Sequence, residues 1–266
     1  MPELPEVETI KRELVRAVCG KKIVEVLVYN PKVIRQPGRR EFINGLRDVR
    51  IKRILRKGKL LLLELSSGKT LAIHLKMTGQ LIYPGVGRDC RAAFKFSNGR
   101  YLDFRDQRLF GDLRLVDDWR DLKFIKELGP EPSGVSLDKF KTMIAARKTK
   151  IKPLLLDQTF ISGIGNLYAA EALFRARIHP ARAANSLSEK EQGLLFKEIQ
   201  DTLTEAIRHK GSSVDQYVQV NGRSGSYVKY HKVYARRGKA CLRCGGPIKR
   251  ISLGGRGTYF CPKCQK

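Results

Sequence analysis

Acidic side chains are scarce in this 266-residue sequence: 26 Asp and Glu stand against 53 Lys and Arg, a formal net charge of +27. A deficit of that size excludes an incidental solvated face. It calls for a polyanionic partner, nucleic acid or an anionic membrane. Long apolar runs are also missing. The densest, Leu60 to Leu63, is far too short for a spanning helix, which disfavours the membrane. The N-terminus is charged where a signal peptide needs an apolar segment, so no export is expected. Cysteine is sparse, and Cys19 and Cys90 stand alone, which points to a reducing, cytoplasmic compartment. No internal repeat or low-complexity tract is present. The last 38 residues, from Lys229, lack Asp and Glu altogether but hold 11 Lys or Arg, the composition of a nucleic-acid contact surface.

The length allows one large or two medium domains. Residues 1–130 carry 28 basic and 16 acidic side chains, and residues 131–266 carry 25 and 10, so both halves are basic. Two domains clamping one duplex fit this better than a basic tail on a neutral enzyme. A helix is predicted over Thr9–Val18. Strands are predicted at Ile23–Val28, Val49–Leu55, Lys59–Leu65, Thr70–Leu75, Ala93–Phe96, Arg100–Phe104 and Asp112–Val116, the spacing of a β-sandwich or barrel. Gly129–Gly134 reads as a linker. Beyond it the periodicity turns helical over Leu137–Ala146, Ile151–Asp157, Gly165–Arg175 and Ser188–Lys210, with Ser188 and Glu191 as a capping box. A Gly/Ser-rich loop, 212–227, precedes the cysteine-rich tail.

Cys241-x2-Cys244-x16-Cys261-x2-Cys264 has the spacing of a four-thiolate zinc site. Each x2 turn brings two thiolates to one ion, and four thiolates leave no open position for water. The site therefore predicts one structural Zn2+, holding Arg256 in Gly254-Gly255-Arg256-Gly257-Thr258 on a rigid hairpin. At the other end stands Met1-Pro2-Glu3-Leu4-Pro5-Glu6-Val7-Glu8-Thr9. Removal of Met1 would leave Pro2 as a secondary amine with carboxylates Glu3 and Glu6 close by in sequence. An α-amino group titrates well below a lysine, so such an amine is a nucleophile able to attack a sugar aldehyde carbon.

The Pro2–Thr9 start, the segment Gly163-Ile164-Gly165-Asn166-Leu167-Tyr168 and the ending Cys261-Pro262-Lys263-Cys264-Gln265 resemble bacterial formamidopyrimidine-DNA glycosylase, of the formamidopyrimidine glycosylase and endonuclease VIII family. The resemblance runs the whole length. It implies an α+β multi-domain chain: an N-terminal β-sandwich with a flanking helix (1–130), a helix–two-turns–helix domain (131–228) and a β-hairpin zinc finger (229–266). It implies a monomer acting on double-stranded DNA with oxidised bases, in the cytoplasm and associated with the nucleoid. Its activity would be that of a bifunctional glycosylase and apurinic/apyrimidinic lyase of base excision repair, removing formamidopyrimidine and 8-oxoguanine.

By the same resemblance Pro2 attacks C1′, Glu3 protonates the sugar or leaving group, and Glu6 positions the amine or the opening sugar. Lys59 serves the lesion phosphates and β-elimination, though a lysine opening an apolar strand also suits a plain solvated strand end. Arg256 matches the finger arginine of δ-elimination. Being always protonated, it reads as an electrostatic clamp. Asn166 suits both a phosphate cradle at a helix N-terminus and an ordinary N-cap. His74, Arg91 and Arg147 match phosphate-contacting positions. Met77, Arg108 and Phe110 match the residues that fill the gap left by an everted nucleotide, although Met77 and Phe110 also suit a core. Ser212 and the backbone of Val214, Asp215, Gln216 and Tyr217 match the segment that closes over the everted base. Asp89 replaces a common His, and Asp215 a common Lys or Arg. The rival readings are an endonuclease VIII-type enzyme for oxidised pyrimidines and a non-catalytic zinc-finger protein that binds damaged DNA.

Overall fold

The computed structural model describes residues 1–266. Two compact units emerge: Met1–Lys126 with His209–Val228, and Glu127–Arg208 with Lys229–Lys266.

The first unit opens with helix α1 (Leu4–Val18). Its strands are β1 (Ile23–Val28), β2 (Ile34–Gln36), β3 (Ile51–Lys57), β4 (Leu60–Leu65), β5 (Thr70–His74), β6 (Gly79–Gly85), β7 (Ala92–Phe96), β8 (Tyr101–Asp106) and β9 (Asp112–Val116), with helix α2 (Arg39–Leu46) between β2 and β3 and a short α3 (Lys123–Lys126) at its end. They form a four-stranded sheet ordered β1-β7-β8-β6 and a five-stranded sheet ordered β2-β9-β5-β4-β3. One apolar cluster draws on both sheets and α1, including Ile10, Leu14, Leu61, Leu63, Ile73, Phe94 and Phe104. The run Leu60–Leu63 is buried throughout, and Leu61 and Leu63 join that cluster.

Helix α1 begins five residues before the sequence pattern predicts. Pro2 and Pro5 look like breakers, but a proline in the first turn lacks only an N–H that has no helical partner. Glu3 is the N-cap, and Glu3 and Glu6 form a reciprocal capping box. Strand β6 and helix α2 escape the sequence pattern. The first carries Gly79, Pro84 and Gly85 within seven residues, and the second is only eight residues long. His74 ends β5, one residue short of the predicted strand end. The chain turns at Lys76, whose φ of 50° breaks the strand.

The second unit contains α4 (Leu137–Ala145), α5 (Ile151–Leu156), α6 (Asn166–Arg175), α7 (Glu189–Arg208) and the hairpin β10 (Lys249–Leu253) and β11 (Arg256–Phe260). The Ser188–Glu191 capping box forms, with Glu191 N–H donating to Ser188 Oγ and Ser188 N–H to Glu191 Oε2. Residues 129–134 are not a loose linker. Gly129 N–H donates to Gln158 O, Ser162 N–H donates to Pro130 O, and Pro132 is buried. A Cβ on Gly129 would lie 2.4 Å from the Thr159 carbonyl, so the segment packs closely on its own unit. No helix is long and apolar enough to cross a membrane.

Candidate functional site

The N-terminal cap of α1 places its carboxylates in a buried setting. Pro2, Glu3 and Glu6 are all buried, while Met1 is exposed. Glu6 receives two backbone amides from opposite directions: Glu3 N–H to Oε2 at 2.8 Å and Ser212 N–H to Oε1 at 2.9 Å. Residues 6 and 212 are remote in sequence, so this contact is tertiary. Gly211 makes it possible. Its φ is 75°, and a Cβ there would lie 2.8 Å from Glu6 Oε1. A side chain at 211 would push the loop off the carboxylate.

The same contact explains why His209–Val228 packs with the sandwich. Val220 N–H donates to Glu13 Oε2 at 2.8 Å, and Tyr83 N–H donates to Val220 O at 2.8 Å. Ser212 and Tyr217 are buried, whereas Val214, Asp215 and Gln216 are exposed. Asp215 Oδ2 lies 3.9 Å from the Met1 ammonium. Burial, then the charges of Glu6 and Glu13, push the Tyr217 hydroxyl far above its usual range, so it stays neutral and donates to Lys210 O.

Lys59 sits with Gly58 in the turn joining β3 to β4, rather than opening a strand. Nearby in sequence, Arg56 Nε donates to Glu8 Oε2 at 3.0 Å, and Arg12 Nε donates to Glu8 Oε1 at 2.7 Å. Burial pushes Glu8 up, but those two bonds outweigh it and hold the carboxyl below its ordinary value. No sequence signal singled out Glu8. One acidic residue inside an amphipathic helix reads as surface.

Met77, Arg108 and Phe110 come together. Arg108 Nη1 lies 3.3 Å from Met77 Sδ, and the guanidinium lies 4.6 Å from the centre of the Phe110 ring. Met77 and Phe110 are 41% and 47% exposed, so neither is core. Two loops meet here because Asp106 binds both. Its Oδ1 accepts from Thr78 Oγ1 and, at 3.2 Å, from Arg108 N–H, while Oδ2 accepts from Gly111 N–H at 2.7 Å. Asp106 was not anticipated. Its role is visible only once β6 and β8 are paired.

Arg91 Nε donates to the Asp106 carbonyl at 2.7 Å, and Asp89 is exposed with a φ of 56°. His74 accepts from Lys76 N–H on Nδ1, which leaves the ring proton on Nε2. Burial, reinforced by Lys76, Lys59 and Arg114, pulls its pKa down to about 3, so the ring is neutral and Nε2–H is a donor.

The second unit holds another group. Asn166, the first residue of α6, donates through Nδ2 to Gly257 O at 3.1 Å and accepts from Lys152 Nζ. Lys152 is fully buried and also donates to Thr258 Oγ1 at 2.8 Å. Asn166 is therefore bound to the hairpin, with Gly165 as N-cap. A buried lysine has no sequence signature, and Lys152 went unseen. Arg256 is exposed at the start of β11, just past Gly254-Gly255, whose positive φ values make the two-residue turn. Arg147 is exposed just after α4.

Cys241, Cys244, Cys261 and Cys264 bring their sulfurs within 4.8 Å of one another. Cys241 and Cys264 sulfurs are 3.9 Å apart, and those of Cys244 and Cys261 are 3.5 Å apart. A tetrahedral zinc about 2.3 Å from each sulfur spaces them about 3.8 Å apart, so the four residues fit the ion. Disulfides are excluded, since a bonded pair is about 2.05 Å apart. Cys241 and Cys261 join Ala170, Phe174, Val233 and Ile248 in one apolar cluster, seating the finger on α6.

Three family models match the chain. They describe the formamidopyrimidine-DNA glycosylase N-terminal domain over residues 1–113, the formamidopyrimidine-DNA glycosylase H2TH domain over 128–218, and a zinc finger found in FPG and IleRS over 238–266. A formamidopyrimidine-DNA glycosylase from Pelotomaculum thermopropionicum is 47% identical, covering 100% of this chain and 99% of its own. One from Desulforamulus reducens is 44% identical at 100% and 99% coverage. Among solved structures, the MutM (Fpg) protein of Thermus thermophilus superposes with a TM-score of 0.89 at 39% identity, covering 99% of this chain and 98% of that one. A complex of a Lactococcus lactis FPG mutant with Fapy-dG-containing DNA superposes with a TM-score of 0.92 at 35% identity, covering both chains fully.

Proposed function

Because the chain belongs to the formamidopyrimidine-DNA glycosylase family, we propose that it removes oxidised purines, formamidopyrimidine and 8-oxoguanine, from double-stranded DNA and then cuts the strand. It is a DNA glycosylase of base excision repair with one structural zinc. The observation that carries the reaction is the Glu6 carboxylate, fixed by Glu3 N–H and Ser212 N–H beside buried Pro2.

With Met1 removed, the Pro2 amine attacks C1′ of an everted nucleotide. The N-glycosidic bond breaks and the base leaves with the proton that the attacking nitrogen sheds; Glu3 then protonates O4′ as the C1′–O4′ bond breaks, which opens the sugar and forms the iminium. The resulting iminium acidifies the C2′ proton. Loss of that proton expels the 3′ phosphate, and a second elimination expels the 5′ phosphate. Glu6 orients the amine and the opened sugar. Lys59 and Arg256 serve as cations for the lesion phosphates. Phosphate contacts fall to His74, which donates through Nε2–H, and to Arg91, Arg147 and Asn166. Met77, Arg108 and Phe110 fill the gap in the stack; unstacking a base costs a few kcal/mol, so the filler must be preassembled. Ser212 to Tyr217 close over the base.

Three functional parts are assigned in chain order: 1–130 for catalysis, 131–228 for duplex binding and lesion capping, and 229–266 as the finger. The segment past Arg208 is contributed from the tail of the second part to the catalytic sandwich. The enzyme acts as a monomer in the cytoplasm, on the nucleoid.

Borohydride tests this reading. It should trap a covalent complex between the Met1-processed protein and duplex DNA containing 8-oxoguanine. Trapping that persists unchanged in Pro2→Gly, or in a form that keeps Met1, overturns the nucleophile. Preferential excision of an oxidised pyrimidine from a matched duplex would replace the purine reading with the endonuclease VIII type.

A further inference from the structure

Glutamines join the Met77–Arg108–Phe110 cluster to the segment that follows Gly211. Gln216 Nε2 donates to Gln107 Oε1 at 2.6 Å. The Gln216 carbonyl accepts from Gln80 Nε2. Gln107 immediately precedes Arg108, and Gln80 lies in β6 just past Thr78, which itself accepts from Arg108 N–H at 3.1 Å. All three glutamines line one cavity of about 390 Å³.

From Gln216 the bonding continues toward the N-terminal site. Ser213 Oγ donates to Tyr217 O at 2.7 Å, and Gly225 N–H donates to Ser213 Oγ at 2.8 Å, which stiffens the loop. At its start, Ser212 N–H holds Glu6. One short loop is thus fixed at one end to the cluster and at the other to the carboxylate beside Pro2. Its middle, at Val214 and Asp215, is exposed.

We propose that the Gln107–Gln216 hydrogen bond is a positioning link, which keeps segment 212–217 in register with the gap-filling residues so that an everted base is seated as the gap is filled. This rests on the glycosylase reading above. Neither glutamine touches the reacting atoms. The link acts through Ser212 and the loop backbone, and it matters only when there is a base to seat.

The test uses two duplexes that differ only at one position, 8-oxoguanine in one and a preformed abasic site in the other, under single-turnover conditions. Gln107→Ala should slow base excision about three- to tenfold, the worth of one such hydrogen bond, and leave strand cleavage at the abasic site unchanged. Gln216→Ala should slow excision by a similar factor, and the double variant should be no slower than either single one. Gln107→Glu combined with Gln216→Lys should restore excision by replacing the amide pair with an ion pair. Equal losses on both duplexes, losses that multiply in the double variant, or no loss at all would each overturn the link. A wild-type protein that excises no oxidised base would instead overturn the functional reading, whatever the glutamine variants do.

Discussion

Glu6 and Glu171 are both buried carboxylates that accept hydrogen bonds from backbone amides of segments remote in sequence, one in each compact unit. Glu6 takes two, from Glu3 and Ser212. Glu171, in the middle of α6, takes three, from Lys232 at 2.8 Å, Val233 at 3.0 Å and Tyr234 at 2.8 Å. Their bonding is alike, but their neighbours are not. Glu6 lies in the first turn of α1, four residues from Pro2 and under a loop with exposed residues. Glu171 is fully buried and clamps the turn at Lys232–Tyr234 that leads into the finger. Burial pushes its pKa up, opposed by the three amides. The contrast teaches that a satisfied buried carboxylate is not by itself a catalytic signal. What sets Glu6 apart is its place four residues from Pro2, the proposed nucleophile, beneath a loop whose Val214 and Asp215 are exposed.

The most severe test of that division is removal of the zinc. A structural zinc site contributes on the order of 10 kcal/mol to folding. Chelation, or Cys261→Ser, is expected to unfold the finger while the melting transition of the sandwich persists. Native protein should contain one zinc per chain by bulk metal analysis. A zinc-free preparation with an intact finger would erase the distinction between a metal-held unit and a sandwich held by its apolar core.

Next in size is the pair of isosteric amides. Glu6→Gln sets an NH2 against one of its two amide donors, so it should cost about 1–3 kcal/mol of stability and, because the loop and the amine are then misplaced, lower excision by about 10²-fold as well. Glu171→Gln should act on stability alone. It sets an NH2 against one of the amide donors and costs about 1–3 kcal/mol of stability. Calorimetry beside single-turnover kinetics separates the two, and exchanged phenotypes would break the comparison.

The smallest effect comes from two histidines, one per unit. Burial pulls His74 down to about 3 and His231 to about 4. The unfolded chain takes up these protons near the ordinary histidine value of about 6.5, and the folded chain does not. Both groups therefore contribute stability that is present above about pH 6.5 and lost as pH falls toward the folded values. His74→Gln should flatten the acid limb of the first unit, and His231→Gln that of the second. An acid limb unchanged in either variant would show that carboxylates alone govern it.

Much of the architecture is legible locally. Apolar alternation located most strands, and helical periodicity located α4 to α7 to within a few residues. The cysteine spacing announced a metal site because two x2 turns constrain four ligands without any tertiary information. The packed Gly129–Pro132 segment, β6 and α2 were illegible because their glycines, prolines or brevity mask pairing that other elements impose. Asp106, Lys152, Glu8 and Glu171 were illegible for another reason. Each is a single charged residue with at least one partner remote in sequence, and no spacing records that contact.

Alone, the sequence determined the basic charge, the four thiolates, the Pro2-Glu3-Glu6 start and the family resemblance, since each resides in composition or in residues a few positions apart. Tertiary structure decided that Ser212 would hold Glu6, that Asp106 would join Met77 to Arg108 and Phe110, and that Lys152 would tie Asn166 to the hairpin. Those are hydrogen bonds across long loops. Their geometry exists only after strand pairing and core packing have brought the donors and acceptors together.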